Sequence, residues 1–136
     1  MRAEGTFAVA TFTPAELTPP PIDITVGSPV GVATMEKVYA GQVIGHSATI
    51  FTSAYDKATG VGSYVAMESF EGSLDGRSGG FAYMHAATTH GEDSTDAMLI
   101  IVPNTGVGDL TNIIGGGGMA IEADGTHRVW FDYQLT

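Results

Sequence analysis

The sequence predicts an all-β protein, in which eight antiparallel strands close into a barrel. Between Gly60 and Asn104 the apolar residues follow no helical period, and Gly- and Asp-rich turns separate strand-like runs. Charged residues make up only 15% of the chain, below the roughly 25% of typical globular domains, while 19 residues are glycine. A mostly sequential series of hairpins suits an up-and-down barrel or a sandwich. The barrel is favoured because closure removes the edges of long strands.

The eight predicted strands belong to one domain of residues 1–136. They run over about Ala3–Thr13, Val32–Ala40, Val43–Asp56, Val61–Ser73, Ser78–His90, Thr95–Pro103, Gly118–Ala123 and Thr126–Leu135. A Pro-rich segment, about 14–29, connects the first two strands, and the alternating residues 22–26 could form a short extra edge strand. Asp109–Ile114 is the one helical candidate. Asp124-Gly125 is predicted to be a two-residue hairpin turn, because glycine accepts the positive φ of a type I′ turn.

Loop lengths predict how strands three to six pair. The expected loops are Lys57–Gly60, Leu74–Arg77 and Gly91–Ser94. They place Glu68 opposite Tyr83 and Ile100 opposite His85. One face of these strands then carries Thr49, Phe51, Ser53, Tyr55, Tyr64, Glu68, Phe70, Phe81, Tyr83, His85, Met98, Ile100 and Val102; the other carries Ile50, Ala54, Val65, Met67, Met84, Leu99 and Ile101. The first face is aromatic with a few polar groups, as in ligand cavities of small barrels, although aromatic residues also fill plain cores.

Two residues on that face are candidates for catalysis, Glu68 and His85. A carboxylate facing a barrel interior is expected to have a raised pKa and could exchange protons with a substrate through or beside a histidine. The alternatives are that Glu68 points to solvent or pairs with a base, and that His85 is a hydrogen-bonded core residue. The candidate ligand-binding residues are Tyr64, Tyr83, Phe51, Phe81, Ser53 and Ile100.

Composition argues against several other functions. The formal net charge is −10 and the five basic residues are scattered, so neither nucleic acid nor an anionic membrane is an expected partner. No apolar run approaches the roughly 20 residues of a membrane span, and the N-terminal residues lack the apolar region of a signal peptide, so a cytoplasmic protein is expected.

No metal or cofactor is predicted, since no two histidines have ligand spacing. The Gly115–Gly118 run lacks a following Lys-Ser or Lys-Thr, and its expected role is close backbone packing or a bend at the barrel rim.

The chain also resembles an uncharacterised bacterial family called domain of unknown function 3224. The resemblance lies in RAEGTFAV at Arg2–Val9, VYAGQVIGHS at Val38–Ser47, YVAMESFEGSLDGRSGGF at Tyr64–Phe81, His85, VPNTGVGDL at Val102–Leu110 and DYQL at Asp132–Leu135. It implies an eight-stranded calycin-like barrel similar to the allene oxide cyclase barrels, which often enclose an apolar cavity and form oligomers. The family has no established activity to carry over.

These observations support two functional hypotheses. In the first, the barrel binds a small, largely apolar molecule and isomerises or cyclises it without a cofactor. In the second, it is a non-catalytic oligomeric binding or scaffold protein with a filled interior; a homo-oligomer is expected because the face with Val65, Met67, Leu99 and Ile101 must be covered. A hollow interior around Glu68 would favour the first hypothesis. A carbohydrate- or peptide-binding sandwich is a weaker third hypothesis, which the single Trp130 supports little.

Overall fold

The chain forms one antiparallel sheet that closes on itself. The computed structural model describes residues 1–91 and 93–136. Its strands are β1 (Arg2–Ala15), β2 (Val30–Gly41), β3 (Val43–Asp56), β4 (Val61–Leu74), β5 (Arg77–His90), β6 (Asp93–Ile101), β7 (Val107–Gly108), β8 (Ile114–Ile121) and β9 (His127–Gln134). Eight of them form a ring in the order β4-β3-β2-β1-β9-β8-β6-β5, which the pairing of β4 with β5 closes, while the short β7 pairs with β5. The predicted all-β antiparallel fold is confirmed, and no helix that could cross a membrane is found among the described residues.

Alternation along each strand decides which side chains enter the ring. On β4, Ala66, Glu68 and Phe70 are buried, while the intervening Met67 and Ser69 are exposed. Successive side chains of a strand point to opposite faces, so a two-residue period buries one set and exposes the other. The face predicted to carry Glu68 and His85 is confirmed by register, and burial shows that it points into the ring, although Tyr55 at the end of β3 is 47% exposed.

One end of the ring is filled. We call it the closed end; it lies where β1 begins and Arg2 pairs with Asp132 of β9. Leu110 and Ile113 from the turns between β7 and β8 are fully buried there. The helix predicted over Asp109–Ile114 is wrong: successive turns with backbone bonds between residues three apart occupy this stretch, because they let both apolar side chains reach the core. The core cluster contains Ala3, Phe7, Tyr39, Val43, Phe70, Leu74, Phe81, Tyr83, Leu99, Ile101, Leu110, Ile113, Val129, Phe131 and Tyr133.

The opposite end, which we call the open end, has fewer strands around it. Among the described residues, β1 beyond Phe7 pairs only with β2, because β9 begins at His127 opposite Phe7. Within the same part of the chain, β6 pairs with β8 at one residue pair, Ile100 with Gly116. The parts of β1 and β6 nearest the open end therefore have no strand between them among the described residues. The connection 16–29 is irregular and its apolar residues 22, 24 and 26 are exposed, so the predicted extra edge strand is wrong.

The turn between β4 and β5 is a type I′ hairpin. Asp75 and Gly76 both have positive φ, 50° and 80°, and Leu74 pairs with Arg77 around them. The expected four-residue loop is thus shorter by one residue on each side. Its register is nevertheless confirmed, because trimming both sides equally leaves Ser73 opposite Ser78.

The same dipeptide gives a different turn between β8 and β9. There Gly125 has positive φ, 88°, but Asp124 does not. The amide of Gly125 donates to the carbonyl of Glu122, and the amide of Glu122 donates to the carbonyl of Thr126. The two-residue turn predicted for Asp124-Gly125 is therefore wrong, and Ala123–Gly125 form a three-residue loop with glycine in the left-handed position.

The glycine run lies inside a strand rather than before it. β8 begins at Ile114, so the prediction that this strand starts at Gly118 is wrong. Gly115 and Gly117 face the interior opposite Tyr133 and Phe131, and a Cβ at Gly117 would overlap the Trp130 carbonyl of β9. The expectation that these glycines allow close backbone packing is confirmed, and the space they leave accommodates aromatic rings.

The register of β6 differs from the prediction. The loop expected over Gly91–Ser94 includes Glu92, which lies outside the described residues. His90 pairs with Asp93 across it, so pairing starts two residues earlier than predicted. A shift of two residues alone would have kept each side chain on its predicted face.

A bulge in β6 then reverses the faces. Thr88 pairs with Thr95 but Ala86 pairs with Met98, so β6 has one extra residue in this interval, and Asp96 has a positive φ of 55°. His85 consequently pairs with Leu99 instead of Ile100. Leu99 and Ile101 are buried inside the ring, whereas Ile100 and Met98 are exposed outside it, and the predicted faces of this strand are wrong.

We expect Gly72→Ala to destabilise the protein strongly, because β3 and β4 come so close at this position that a Cβ would overlap the Ile44 carbonyl. The expected loss is about 2–4 kcal/mol of unfolding free energy, measured by urea denaturation. The matched control is Gly31→Ala on β2, where an added Cβ meets nothing within 4 Å. That variant should be neutral or stabilised by up to about 1 kcal/mol. Equal stabilities of the two variants would contradict the packing described here.

Candidate functional site

A glutamate side chain lies at the centre of the ring with no exposure to solvent. Glu68 is 0% exposed, and four side chains donate to its carboxylate. Lys37 of β2 donates to Oε2 at 2.8 Å, while Tyr39 of β2 and Ser47 of β3 donate to Oε1 at 2.9 and 2.8 Å. Nε2 of His85 on β5 also bonds Oε2. Each oxygen thus receives two donors, so the buried charge is compensated by hydrogen bonds and by an ammonium group.

This arrangement keeps Glu68 ionised. Burial by itself would raise the pKa of the Glu68 carboxyl, but the hydrogen bond from His85 and the charge and hydrogen bond of Lys37 outweigh it and hold that pKa well below its usual range. The predicted raised pKa is wrong because the prediction included no buried cation. The alternative that Glu68 pairs with a base is confirmed.

A second tyrosine extends the network away from the carboxylate. The Tyr39 and Tyr83 hydroxyls are 2.6 Å apart. Since the Tyr39 proton goes to Glu68, Tyr83 is the donor to Tyr39. Burial, followed by the electrostatic effects of Tyr39 and of the Glu68 charge, raises the pKa of Tyr83 well above its usual value. Tyr83 and Phe81, predicted as ligand-binding residues, therefore lie within the filled core, where Tyr83 fixes the network.

His85 links this network to the open end. Its Nε2 bonds Glu68, and its Nδ1 lies 3.2 Å from the Tyr64 hydroxyl. In the neutral ring Glu68 selects the tautomer with hydrogen on Nε2, so Nδ1 is left as the acceptor and Tyr64 donates to it. Burial, followed by the charge of Glu68, raises the pKa of Tyr64. Tyr64 therefore remains a neutral hydroxyl that donates a hydrogen bond.

Aromatic side chains line the interior at the open end, above His85. The rings of Phe51 and Tyr64 stack with centroids 5.1 Å apart, and Phe12 meets Phe51 edge-on at 5.7 Å. Phe12 pairs with Met35 and belongs to the inner face, yet 54% of it is exposed. Ser53 lies half-buried on β3, beyond Phe51 towards the rim. We call Phe12, Phe51 and Tyr64 the aromatic platform.

The predicted site residues thus divide into three groups. Glu68, His85, Phe51, Tyr64 and Ser53 share the interior from the centre to the open end, as expected. Phe81 and Tyr83 share the interior but lie towards the filled end. Ile100 is on the outer surface, 45% exposed, because the β6 bulge turns it away.

Lys37, Tyr39 and Ser47 were missed by the sequence-based prediction of the site. The short connection between β2 and β3 could have placed them, since Lys37 pairs with Ser47 and both share a face with Tyr39. A lysine inside an otherwise apolar alternating strand was the available signal. Within residues 1–91 and 93–136, no three acidic or histidine side chains form a group that could hold a metal ion.

Comparison with known proteins identifies the family. The model of a family described as a protein of unknown function (DUF3224) matches residues 3–133. The chain belongs to the DUF3224 family. A crystal structure of a DUF3224 protein with unknown function from Shewanella oneidensis MR-1 is similar over 100% of this chain and 98% of that one, with a TM-score of 0.80 and 29% identity. No curated protein is similar enough in sequence to match.

The ionised state of Glu68 predicts how stability depends on pH in this DUF3224 protein. Between the folded pKa and the unfolded value of about 4.5, the unfolded state binds more protons, so stability is present above pH 4.5 and is lost as pH falls. Glu68→Gln leaves Lys37 buried without its charge partner and should cost about 3–5 kcal/mol at pH 7. The difference between wild type and variant should shrink by about 1.4 kcal/mol per pH unit below pH 4.5.

Urea unfolding at pH 7, 4 and 3 measures this difference. Glu71→Gln is the matched control, because Glu71 lies on the same strand but points outward and is mostly exposed. It should change stability by less than about 0.5 kcal/mol. A wild-type advantage over Glu68→Gln that stays constant from pH 7 to pH 3 would contradict an ionised Glu68.

Proposed function

We propose that this DUF3224 protein binds a small, largely apolar molecule inside the open end of the ring. The observation that carries the proposal is the aromatic platform, an inward-facing apolar surface that the fold leaves exposed: Phe12 is 54% exposed although it faces the interior. Isolated apolar residues on an outer surface are ordinary, whereas apolar rings that converge inside a concave sheet are typical of ligand sites.

The polar groups beneath the platform support a proton-transfer role as part of this proposal. Nδ1 of His85 has a lone pair that can accept a proton from the bound molecule once Tyr64 turns its hydroxyl to a substrate oxygen. Glu68 would stabilise the resulting imidazolium through Nε2, as a carboxylate does in a catalytic triad. Return of that proton to another atom of the same molecule gives an isomerisation or cyclisation that needs no cofactor. In this scheme His85 exchanges the proton, and Glu68 is a positioning residue.

The resemblance to allene oxide cyclase-like and calycin-like barrels agrees with this chemistry, by analogy of fold alone. Those barrels have eight antiparallel strands and often enclose an apolar cavity, and eight strands of this chain also close into a ring. The difference lies in the depth of the site. Here the core cluster fills the interior at the closed end, so the bound molecule would occupy only the interior at the open end.

We predict that a library of aromatic and terpenoid molecules contains ligands that raise the melting temperature of the wild type. A ligand at one hundred times its Kd stabilises the native state by about 2.7 kcal/mol. Phe51→Leu removes the stacked ring while keeping an apolar side chain, and it should weaken binding at least tenfold by calorimetry. The neighbouring outward variant Ile50→Leu is the control and should bind as the wild type does. Equal affinities of Phe51→Leu and wild type would place the ligand elsewhere.

The second candidate function is a non-catalytic oligomer, which the outer surface of the ring favours. Ile50, Met67, Met84 and Ile100 lie side by side across β3 to β6. Ile50 is 61% exposed and Met67 49%. The adjacent outward rows hold Ala48, Ser69, Ala82, Thr52, Val65, Ala86 and Met98, none of which is charged. We call these three rows the outer apolar face.

The size and charge of the outer apolar face fit a second copy of this chain. Four strands about 4.8 Å apart, over three rows about 7 Å apart, give roughly 400 Å² of flat area. This is about half of the roughly 800 Å² that each partner buries in a standard interface, so a few neighbouring residues would complete it. A face without charge also lets two chains of net charge −10 meet without direct repulsion at the contact. Two-fold packing of sheet on sheet would bury the face in both copies.

We predict that the protein is a homo-oligomer in solution and that Met67→Glu dissociates it. The added carboxylate would be buried without a partner at the centre of the interface. Light scattering after size-exclusion chromatography measures the mass, and Thr6→Glu on the exposed outer side of β1 is the control. A wild type of about 14 kDa at high concentration would contradict this assembly.

A further inference from the structure

A buried hydroxyl below the aromatic platform has no hydrogen-bond partner among residues 1–91 and 93–136. Thr49 is 2% exposed, and its Oγ1 makes no hydrogen bond to any described residue. It faces the interior between Met35 and Glu68, its neighbours across β2 and β4. Glu68 does not engage it, since other side chains already occupy both carboxylate oxygens. Burying a hydroxyl without a hydrogen bond costs free energy. We therefore expect a group of a bound molecule to pair with it.

Lys37 also has unused hydrogen-bonding capacity at the same place. Its ammonium group has three donors, is 2% exposed, and makes one hydrogen bond to a described residue, that to Glu68. Nζ lies 4.5 Å from the centre of the Phe7 ring, a contact that attracts the charge but accepts no ordinary hydrogen bond. Lys37 and Thr49 are diagonal neighbours across β2 and β3, because Lys37 pairs with Ser47.

We propose that the bound molecule carries a hydrogen-bond-accepting oxygen, of a carbonyl or carboxylate group, that Thr49 and Lys37 bind at the floor of the site. This inference rests on the proposed binding at the aromatic platform and adds the chemical class of the ligand. Both protein groups are donors: the Thr49 hydroxyl is free to donate, and an ammonium group can only donate. Because Glu68 already neutralises Lys37, a neutral carbonyl and a carboxylate are both acceptable.

The spacing along β3 sets the length of the ligand. Thr49 is two residues further into the ring than Phe51, and two residues of a strand span about 7 Å. A ring that stacks on the platform must therefore carry its oxygen about 7 Å from the ring contact, at the end of a short chain. Phenyl rings with a three- or four-carbon chain have this geometry, and they allow the oxygen to be varied while the apolar part stays nearly constant.

The test compares three such probes by calorimetry: butylbenzene, 4-phenyl-2-butanone and 3-phenylpropanoate. We expect the wild type to bind the ketone or the carboxylate about tenfold more tightly than butylbenzene. Thr49→Val, which removes the hydroxyl at nearly constant volume, should abolish most of this preference without weakening butylbenzene. The variant should fold with a melting temperature no lower than the wild type, because it loses an unpaired buried polar group. Thr52→Val, on the outer side of the same strand, is the matched control and should keep the preference.

Each outcome decides one of the two proposals. Similar affinities of the wild type for all three probes would overturn the oxygen-binding inference and leave the aromatic site standing. An undiminished preference in Thr49→Val would also overturn it. Failure of all three probes to bind would overturn the site at the platform and this inference with it. A crystal structure of a probe complex in which Thr49 bonds only to water would also overturn the oxygen-binding inference, because the Thr49 hydroxyl would then bind a buried solvent molecule.

Discussion

The ionised Glu68 at the centre of the ring constrains the rest of the structure. A carboxylate that is fully buried costs several kcal/mol unless charges and hydrogen bonds replace its water. Its four donors come from three other strands, since Lys37 and Tyr39 belong to β2, Ser47 to β3 and His85 to β5. A slip of one residue in any of these pairings would turn a donor to the outside and leave the charge unpaired. The hydrogen bonds to Glu68 therefore constrain the register of β2 to β5 more strictly than the surrounding apolar contacts do.

The parts of the fold that depend on local hairpins could be predicted from the sequence. The pairing of β3, β4 and β5 follows from two loops, and errors that trim both sides of a loop equally, as at Asp75-Gly76, leave the register intact. The bulge at Asp96 could not be predicted, because a single residue leaving the ladder has no composition signal, yet it moves Ile100 outside. The convergence of Lys37 with Glu68, 31 residues apart, combines the registers of two successive strand pairs, β2 with β3 and β3 with β4, and the prediction left the first of these unused.

The ring uses its two ends differently. At the closed end the β7–β8 turns and the aromatic residues of β9 fill the interior, which supplies the apolar burial that a domain of this size needs for stability. At the open end β9 reaches only as far as His127, which lies opposite Phe7. The part of β1 beyond Phe7 is therefore not covered by β9, and Phe12 remains accessible. The filled core and the accessible aromatic platform thereby lie at opposite ends of one sheet, with Glu68 and its four donors at the boundary between them.

The position of Glu68 at this boundary also decides which residue can do chemistry. Its low pKa and complete burial prevent it from exchanging protons with a bound molecule near neutral pH. The same properties suit it to hold His85 in one tautomer and to stabilise a charge on that ring. Proton transfer, if the platform binds a reactive molecule, must therefore pass through His85 and the Tyr64 hydroxyl, the two members of the network nearest to the open end. An unreactive ligand would meet the same hydroxyl as a simple hydrogen-bond donor. The distinction between an isomerase and a binding protein thus depends on the bound molecule as much as on the network.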